Sequence, residues 1–332
     1  MVYKKRALLQ KNGRCLVCER RCLIKHGKRG YCRTRLNENG TIYTLNYNNI
    51  SSISINPIEK KPLFHFYPGS RALTVGFWSC NFTCPWCQNH DISKTEPQFH
   101  ENISPENFIK MAVANSCEGT SLSFNEPTTF LEWSIEVFKF AKKEKLYNTI
   151  VTNGYMTEQA LELFIETGLD AANVDIKGDK KVIKKFCGAD VEKVWRNCKI
   201  MKKNNRHIEI TTLVISNVND NLVILSEIGK RILKELGDAT PWHLTRYFPA
   251  YKFSEPSTPI KFLEDAYQMA KDIGLKFAYL GNIPGHKHEN TYCPECDKLL
   301  IQRDGMSTKK ICIDKDMICQ NCKHDLKSYF KV

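Results

Sequence analysis

The sequence predicts an α/β protein whose centre is a partial (β/α) TIM-like barrel, with a Cys-rich N-terminal extension and a C-terminal zinc ribbon. Three observations predict it. Between residues 71 and 285 short apolar runs alternate with amphipathic stretches, the pattern of repeated βα units around a parallel sheet. At 332 residues the chain is too long for one small module and suits a large domain with appendages. Its 15 cysteines concentrate in groups, two of them outside that central span. The expected organisation is a four-cysteine metal-binding segment over 1–40 and a β-rich connector over 41–70. The barrel then covers 71–285 and a ribbon-like module 286–332.

In chain order, strands are expected over 72–78, 120–124, 148–152, 171–176, 208–215, 241–246 and 276–280. The first helix starts where Ser104 supplies an N-cap, Pro105 the first helical position and Glu106 an early acid, and it should run to about Cys117. Further helices are expected over 128–145, 157–168, 190–204, 220–236 and 259–273. The segments after the strands are polar: Asn125-Glu126-Pro127, Asn153-Gly154, Asp175-Ile176-Lys177, His243 with Arg246, and Gly281-Asn282. In parallel α/β sheets the carboxyl edge is where ligands bind, so these residues form one candidate constellation. Singly, each would read as ordinary turn chemistry.

A net charge of +13, with 26% charged and 42% hydrophobic residues, describes a globular chain and excludes disorder or a fibre. No apolar run reaches the roughly 20 residues of a bilayer span, and the basic N-terminus lacks an apolar signal core. A cytoplasmic location and no membrane partner are expected. In a reducing compartment, clustered cysteines point to metal rather than to disulfides.

The cysteine groups number four, three and four: Cys15, Cys18, Cys22 and Cys32; Cys80, Cys84 and Cys87; Cys293, Cys296, Cys319 and Cys322. Four thiolates close a metal site, whereas three leave one position open for something that reacts. Cys-x3-Cys-x2-Cys places three thiolates on one loop, enough for three irons of a cubane cluster. Zinc there would need a fourth ligand from elsewhere, such as His90.

This spacing, with Trp86 before the last cysteine, resembles the radical S-adenosylmethionine (SAM) enzymes. The resemblance implies a [4Fe-4S] cluster on Cys80, Cys84 and Cys87 whose open iron is chelated by SAM, and reductive cleavage of SAM to a 5′-deoxyadenosyl radical. It also implies SAM contacts from Trp86, Asn125, Glu126, Asn153, Asp175 and Lys177. Where the superfamily has a Gly-Gly-Glu-Pro-like segment, this chain reads Phe124-Asn125-Glu126-Pro127. Asp175 and Lys177 alternate along one strand and face the same side, where they could equally be a buried ion pair.

Additional segments, among them Pro57–Phe66, His243–Pro249 and Tyr279–Asn282, resemble the AmmeMemoRadiSam-system radical SAM enzymes, relatives of the glycyl-radical activating enzymes. Asn89 completes the Cys-x3-Cys-x2-Cys-x-Asn pattern of those activases, but the glycine often found before the first cysteine is replaced by Trp78-Ser79. His243 and Arg246 are the candidates to act on substrate, by donating a hydrogen bond or proton and by pinning a carboxylate or phosphate; a satisfied core histidine and a structural arginine are the equal alternative.

The paired Cys-x2-Cys knuckles at 293–296 and 319–322 suit one tetrahedral zinc, with rubredoxin-type iron as competitor. The N-terminal four could hold zinc or an auxiliary iron–sulfur cluster. Counting thiolate charge reduces the basic excess to roughly +8, which weakens a nucleic-acid partner. The leading expectation is an enzyme served by a one-electron donor such as flavodoxin or ferredoxin, acting on a protein or small molecule. Glycyl-radical activation, tRNA modification and a non-catalytic metal scaffold are the alternatives.

Overall fold

The computed structural model describes residues 4–96, 101–305 and 307–332. Eight strands carry the main sheet: β1 (Asn49–Pro57), β2 (Arg71–Phe77), β3 (Gly119–Leu122), β4 (Tyr147–Thr152), β5 (Ala171–Asp175), β6 (His207–Val214), β7 (Trp242–Arg246) and β8 (Ala278–Gly281). They lie in the order β8-β7-β6-β5-β4-β3-β2-β1, and the short strand Glu101–Asn102 completes an open nine-stranded sheet. β2 to β8 pair in parallel, with each new strand added beside the last. All four residues of β3 and the first four of β5 are buried, as continuous apolar and small-residue runs require when both faces are covered.

β1 belongs to the segment expected to be a connector, yet it is hydrogen-bonded antiparallel to β2, from Pro57 opposite Arg71 to Ile50 opposite Phe77. Its sequence, Asn-Ile-Ser-Ser-Ile-Ser-Ile-Asn-Pro, alternates polar and apolar residues, and its centre is half-buried. That is the pattern of a strand with one face to solvent, unlike the buried strands beside it.

Two of the helices begin at side-chain caps. Ser104 Oγ accepts from Asn107 N at 3.3 Å to start α1 (Pro105–Ala114), and Thr157 Oγ1 accepts from Ala160 N at 3.2 Å to start α3 (Glu158–Thr167). α1 stops short of Cys117 because Asn115 caps it and Ser116 takes a left-handed φ of 51°. α2 (Leu131–Lys143) follows a 3-10 turn over Pro127–Phe130, and α4 (Val191–Lys203), α5 (Leu222–Leu236) and α6 (Ile260–Asp272) are the other long helices. Among the elements without a counterpart in the sequence expectations, Lys180–Val182 runs into a π-helical turn, Ile183–Cys187, that ends on Gly188. Such turns occur often at functional sites.

Residues 58–67 pack against the amino-terminal part of the sheet. The N–H groups of Phe64 and His65 donate to Glu209 on β6 at 3.0 and 2.8 Å, and Asn173 Nδ2 on β5 donates to the Pro62 carbonyl at 2.8 Å. The C-terminal module clamps the same segment. Arg303 donates to the Phe64 carbonyl at 2.9 Å, and Phe330 stacks on His65 with ring centroids 4.3 Å apart.

Packing at the start of β3 is close enough to test. A Cβ on Gly119 would lie 2.0 Å from the Tyr147 ring, whose hydroxyl is bonded to Ser70 at 2.9 Å. Gly119→Ala should therefore destabilise the protein by about 1–3 kcal/mol in urea unfolding. An unchanged midpoint would show that Tyr147 moves aside freely.

Candidate active site

The loops after β2, β3, β4 and β5 surround a cavity of about 460 Å³. Cys80, Cys84 and Cys87 all line it, on the loop that leaves the carboxyl end of β2. That loop is tied down along its length. Ser79, in the left-handed region with φ 77°, donates its hydroxyl to the Cys32 carbonyl, and its N–H donates to Ile92 O at 3.0 Å. Asn89 Nδ2 donates to Phe124 O at 2.6 Å, and Asn125 Nδ2 donates to Ser79 O at 2.7 Å while its Oδ1 accepts from Phe77 N at 3.0 Å. Asn125 and Asn89 thus brace the cysteine loop against the end of β3.

The donor set fits an iron–sulfur group. Three thiols share one cavity wall, and Cys80 Sγ accepts from Phe82 N at 3.4 Å and from Asn153 Nδ2 at 3.7 Å, bonds that stabilise a thiolate. Burial pushes the Cys80 thiol up to about 12, so a thiolate at that position requires a cation beside it. The Trp86 indole is buried against Phe186 and Phe253, and its N–H has no partner among the described residues.

Glu126 is 1% exposed and accepts from Thr152 Oγ1 at 2.8 Å, Asn153 N at 2.8 Å and both the hydroxyl and the N–H of Thr128. All its donors are neutral, so the carboxylate charge has no counter-ion among them; burial raises its pKa despite these bonds. Asn153 also donates to Asn81 Oδ1 at 2.7 Å. Asp175 and Lys177 do form the ion pair that alternation permits, at 2.9 Å, and both line the cavity. Burial alone would favour the neutral amine of Lys177, but Asp175 and the nearby Cys84 thiol reverse this and hold the ammonium above its ordinary range.

His243 and Arg246, the residues expected to act on substrate, are not in the cavity wall. His243 points into the sheet interior below it, 2% exposed, with Nε2 2.7 Å from Glu209 and its ring stacked on Tyr279. Arg246 donates through Nε to Thr258 O at 2.9 Å and lies over the Phe248 ring. Strand position was readable, but depth along the strand is set by residues 58–67, whose packing carries no local signal.

Asn81 and Lys61 also meet the cavity region without having been singled out for a role in the sequence. Cys187, which the sequence offers as a buried thiol or, with Gly188 after it, as a loop thiol near substrate, has its Sγ 3.4 Å from Cys84 Sγ across 103 positions of sequence. Arg20 links this region to the N-terminal cysteines, donating to the carbonyls of Asn81 at 3.0 Å, Cys187 at 2.7 Å and Gly188. Cys15, Cys18, Cys22 and Cys32 share one neighbourhood in which their charges interact, and burial pushes the Cys15 thiol up to about 11.

Among the described residues, it is Cys293, Cys296, Cys319 and Cys322 whose sulfurs all lie within 4.8 Å of one another. Their two turns are equivalent. Asp297 N donates to Cys293 O at 3.0 Å and Lys323 N to Cys319 O at 2.9 Å, with both residues left-handed at φ 54° and 63°. The left-handed position usual for glycine is therefore kept without it.

Comparison with known proteins agrees with this geometry. The radical SAM superfamily pattern matches residues 79–224. MJ0808 of Methanocaldococcus jannaschii is 41% identical over 93% of this chain and 92% of its own length. MJ1227 of the same organism, whose name proposes it as a glycyl-radical enzyme activating enzyme, is 25% identical over 57% of this chain and 78% of its own. Streptococcus suis SuiB bound to S-adenosylmethionine shares the fold, with a TM-score of 0.51 at 14% identity over 68% of this chain and 52% of SuiB.

Proposed function

The chain belongs to the radical SAM superfamily, and from that premise we propose that its cavity holds a [4Fe-4S] cluster on Cys80, Cys84 and Cys87 together with SAM. The single observation that carries this reading is that the three thiols share one cavity with Glu126, Asn153, Asp175 and Lys177. When bound, the cluster supplies the electron that breaks a sulfur–carbon bond of SAM and yields a 5′-deoxyadenosyl radical. The chain's own residues do the rest. Glu126, whose donors among the described residues are all neutral, receives the SAM ammonium. Asn153 orients the ligand from the β4 loop, Trp86 covers the cysteine loop, and the Asp175–Lys177 pair offers both charges to a zwitterion. The open sheet is read as part of a barrel that encloses this chemistry, with His243 holding the interior together through Glu209 and Arg246 fixing the loop after β7. Anaerobic reconstitution followed by dithionite and SAM should release 5′-deoxyadenosine; a protein with a full iron content that releases none would refute the reading.

Glycyl-radical activation is a second reading, favoured by Asn89 and by the kinship with MJ1227. It implies a protein or peptide substrate and a one-electron donor, and it predicts a partner that acquires a persistent organic radical visible by electron paramagnetic resonance. tRNA modification would require salt-dependent RNA binding. A pure metal scaffold gives no purpose to the unneutralised Glu126. No helix among the described residues is long and apolar enough to cross a membrane.

We assign zinc to the C-terminal four cysteines, in a ribbon, and zinc or an auxiliary iron–sulfur cluster to the N-terminal four. Elemental analysis separates these: about 4 irons and 2 zincs per chain, or about 8 irons and 1 zinc. Cys319→Ser should remove one zinc and leave the iron unchanged; loss of iron instead would move the ribbon assignment to iron.

A further inference from the structure

Lys61 presents an amine that no acid among the described residues pairs with. It is 2% exposed and lines the cavity with Lys60 and Pro62. Its ammonium makes no ion pair or hydrogen bond among the described residues; it lies over the Phe124 ring, 4.7 Å from the centroid. A lysine buried in this way is costly to keep charged without an anion. Burial, with Lys60 beside it, pushes the amine down to about 7.

Two other atoms of the same cavity are buried and have no partner among the described residues, Asn173 Oδ1 and Thr211 Oγ1. Asn173 is 1% exposed, and its Nδ2 is committed to the Pro62 carbonyl, so the oxygen is the end left for a ligand. Lys61 also approaches from a different edge from the cysteines. It follows β1, whose Pro57 pairs with Arg71 at the start of β2, whereas the cysteine loop leaves after Phe77 at the end of β2.

We propose that Lys61, Asn173 and Thr211 form a substrate subsite, in which the Lys61 ammonium pairs with a carboxylate or phosphate of the substrate and Asn173 Oδ1 accepts from a neighbouring N–H or O–H. The proposal rests on the reading of this cavity as the site of SAM and substrate. Within it charge is divided: Glu126 suits the cationic part of SAM, Asp175 is already paired with Lys177, and Lys60 and Lys61 face the cavity without an acid of their own. The substrate is the anion that this wall lacks.

Phosphate and acetate serve as separate probes on the full-length reconstituted protein. Acylation of Lys61 by a water-soluble amine-reactive ester, read by mass spectrometry, should slow about tenfold at saturating probe, while Lys60 slows less than about twofold. The probe that protects at lower concentration identifies the anion, phosphate or carboxylate. By calorimetry Lys61→Met should weaken that probe at least about tenfold and Lys61→Arg less than about threefold, with SAM affinity changed less than about threefold in both. Protection by neither probe would overturn the subsite. So would an equal loss of SAM and probe binding in Lys61→Met, because Lys61 would then serve SAM. If the unaltered protein bound the probe at Lys61 but not SAM, the subsite would stand and the SAM reading would fail.

Discussion

Anaerobically reconstituted Cys84→Ala protein is expected to lose the cluster's iron and sulfide, about 4 of each per chain, and to release no 5′-deoxyadenosine, whereas Cys187→Ala should retain both within about threefold. The two sulfurs are only 3.4 Å apart, so proximity alone does not say which is a ligand. Their settings do. Cys84 lines the cavity beside Cys80 and Cys87, while Cys187 is fully buried at the end of the π-helical turn and is absent from the cavity wall. Two thiols remaining after loss of Cys84 cannot retain a cubane, but loss of Cys187 removes only a neighbour. The opposite result, with Cys187→Ala stripped of iron, would mean that a fourth protein thiolate closes the cluster. SAM would then have no iron to chelate, and the proposed chemistry would have no starting point. Iron, sulfide and the thiolate-to-iron absorption read this without dependence on turnover.

The parallel strands were readable because they are buried on both faces and bounded by capped helices: 72–78 was expected and Arg71–Phe77 is found, 171–176 was expected and Ala171–Asp175 is found. The cavity's principal residues were readable for the same reason, since a parallel sheet brings every strand's carboxyl end to one edge. What escaped depends on contacts distant in sequence. β1 looked like connector because its Ser/Ile alternation marks a strand with one half-exposed face rather than one buried on both. Lys61 lay in the family-like segment Pro57–Phe66 with no role assigned to it; the packing of 58–67 against Asn173 and Glu209 is what buries it. The same packing puts His243 beneath the cavity rather than in it. Local pattern reports which face of a strand a residue occupies, and the filling of the interior decides what that residue meets.

Glu209 is the residue on which that filling converges, and Glu209→Gln should cost about 3–5 kcal/mol of stability. Each carboxylate oxygen accepts one backbone N–H and one imidazole: Oε1 from His65 N at 2.8 Å and His207 Nε2 at 2.9 Å, Oε2 from Phe64 N at 3.0 Å and His243 Nε2 at 2.7 Å. A glutamine amide must therefore turn its NH2 towards a backbone N–H whichever way it flips, leaving buried donors unpaired. Release of residues 58–67 would loosen the C-terminal module that Arg303 and Phe330 fasten to them. Acid should act on the same hub. Burial opposes its charge, yet hydrogen bonds from His207 and His243 hold the Glu209 carboxyl well below its ordinary 4.5, so the stability it contributes is present above that pH and lost as pH falls towards the folded value. Burial also pushes His65 from 6.5 down to about 3, so the unfolded chain takes up that proton first and stability already falls as pH drops from about 6.5 towards 3. Urea unfolding from pH 7 to pH 4 should show the unaltered protein weakening steadily, with Glu209→Gln less stable throughout and its decline shallower below about pH 4.5. Parallel curves for the two proteins would remove Glu209 as the acid-sensitive group, and equal midpoints at pH 7 would remove it as the anchor of the interior.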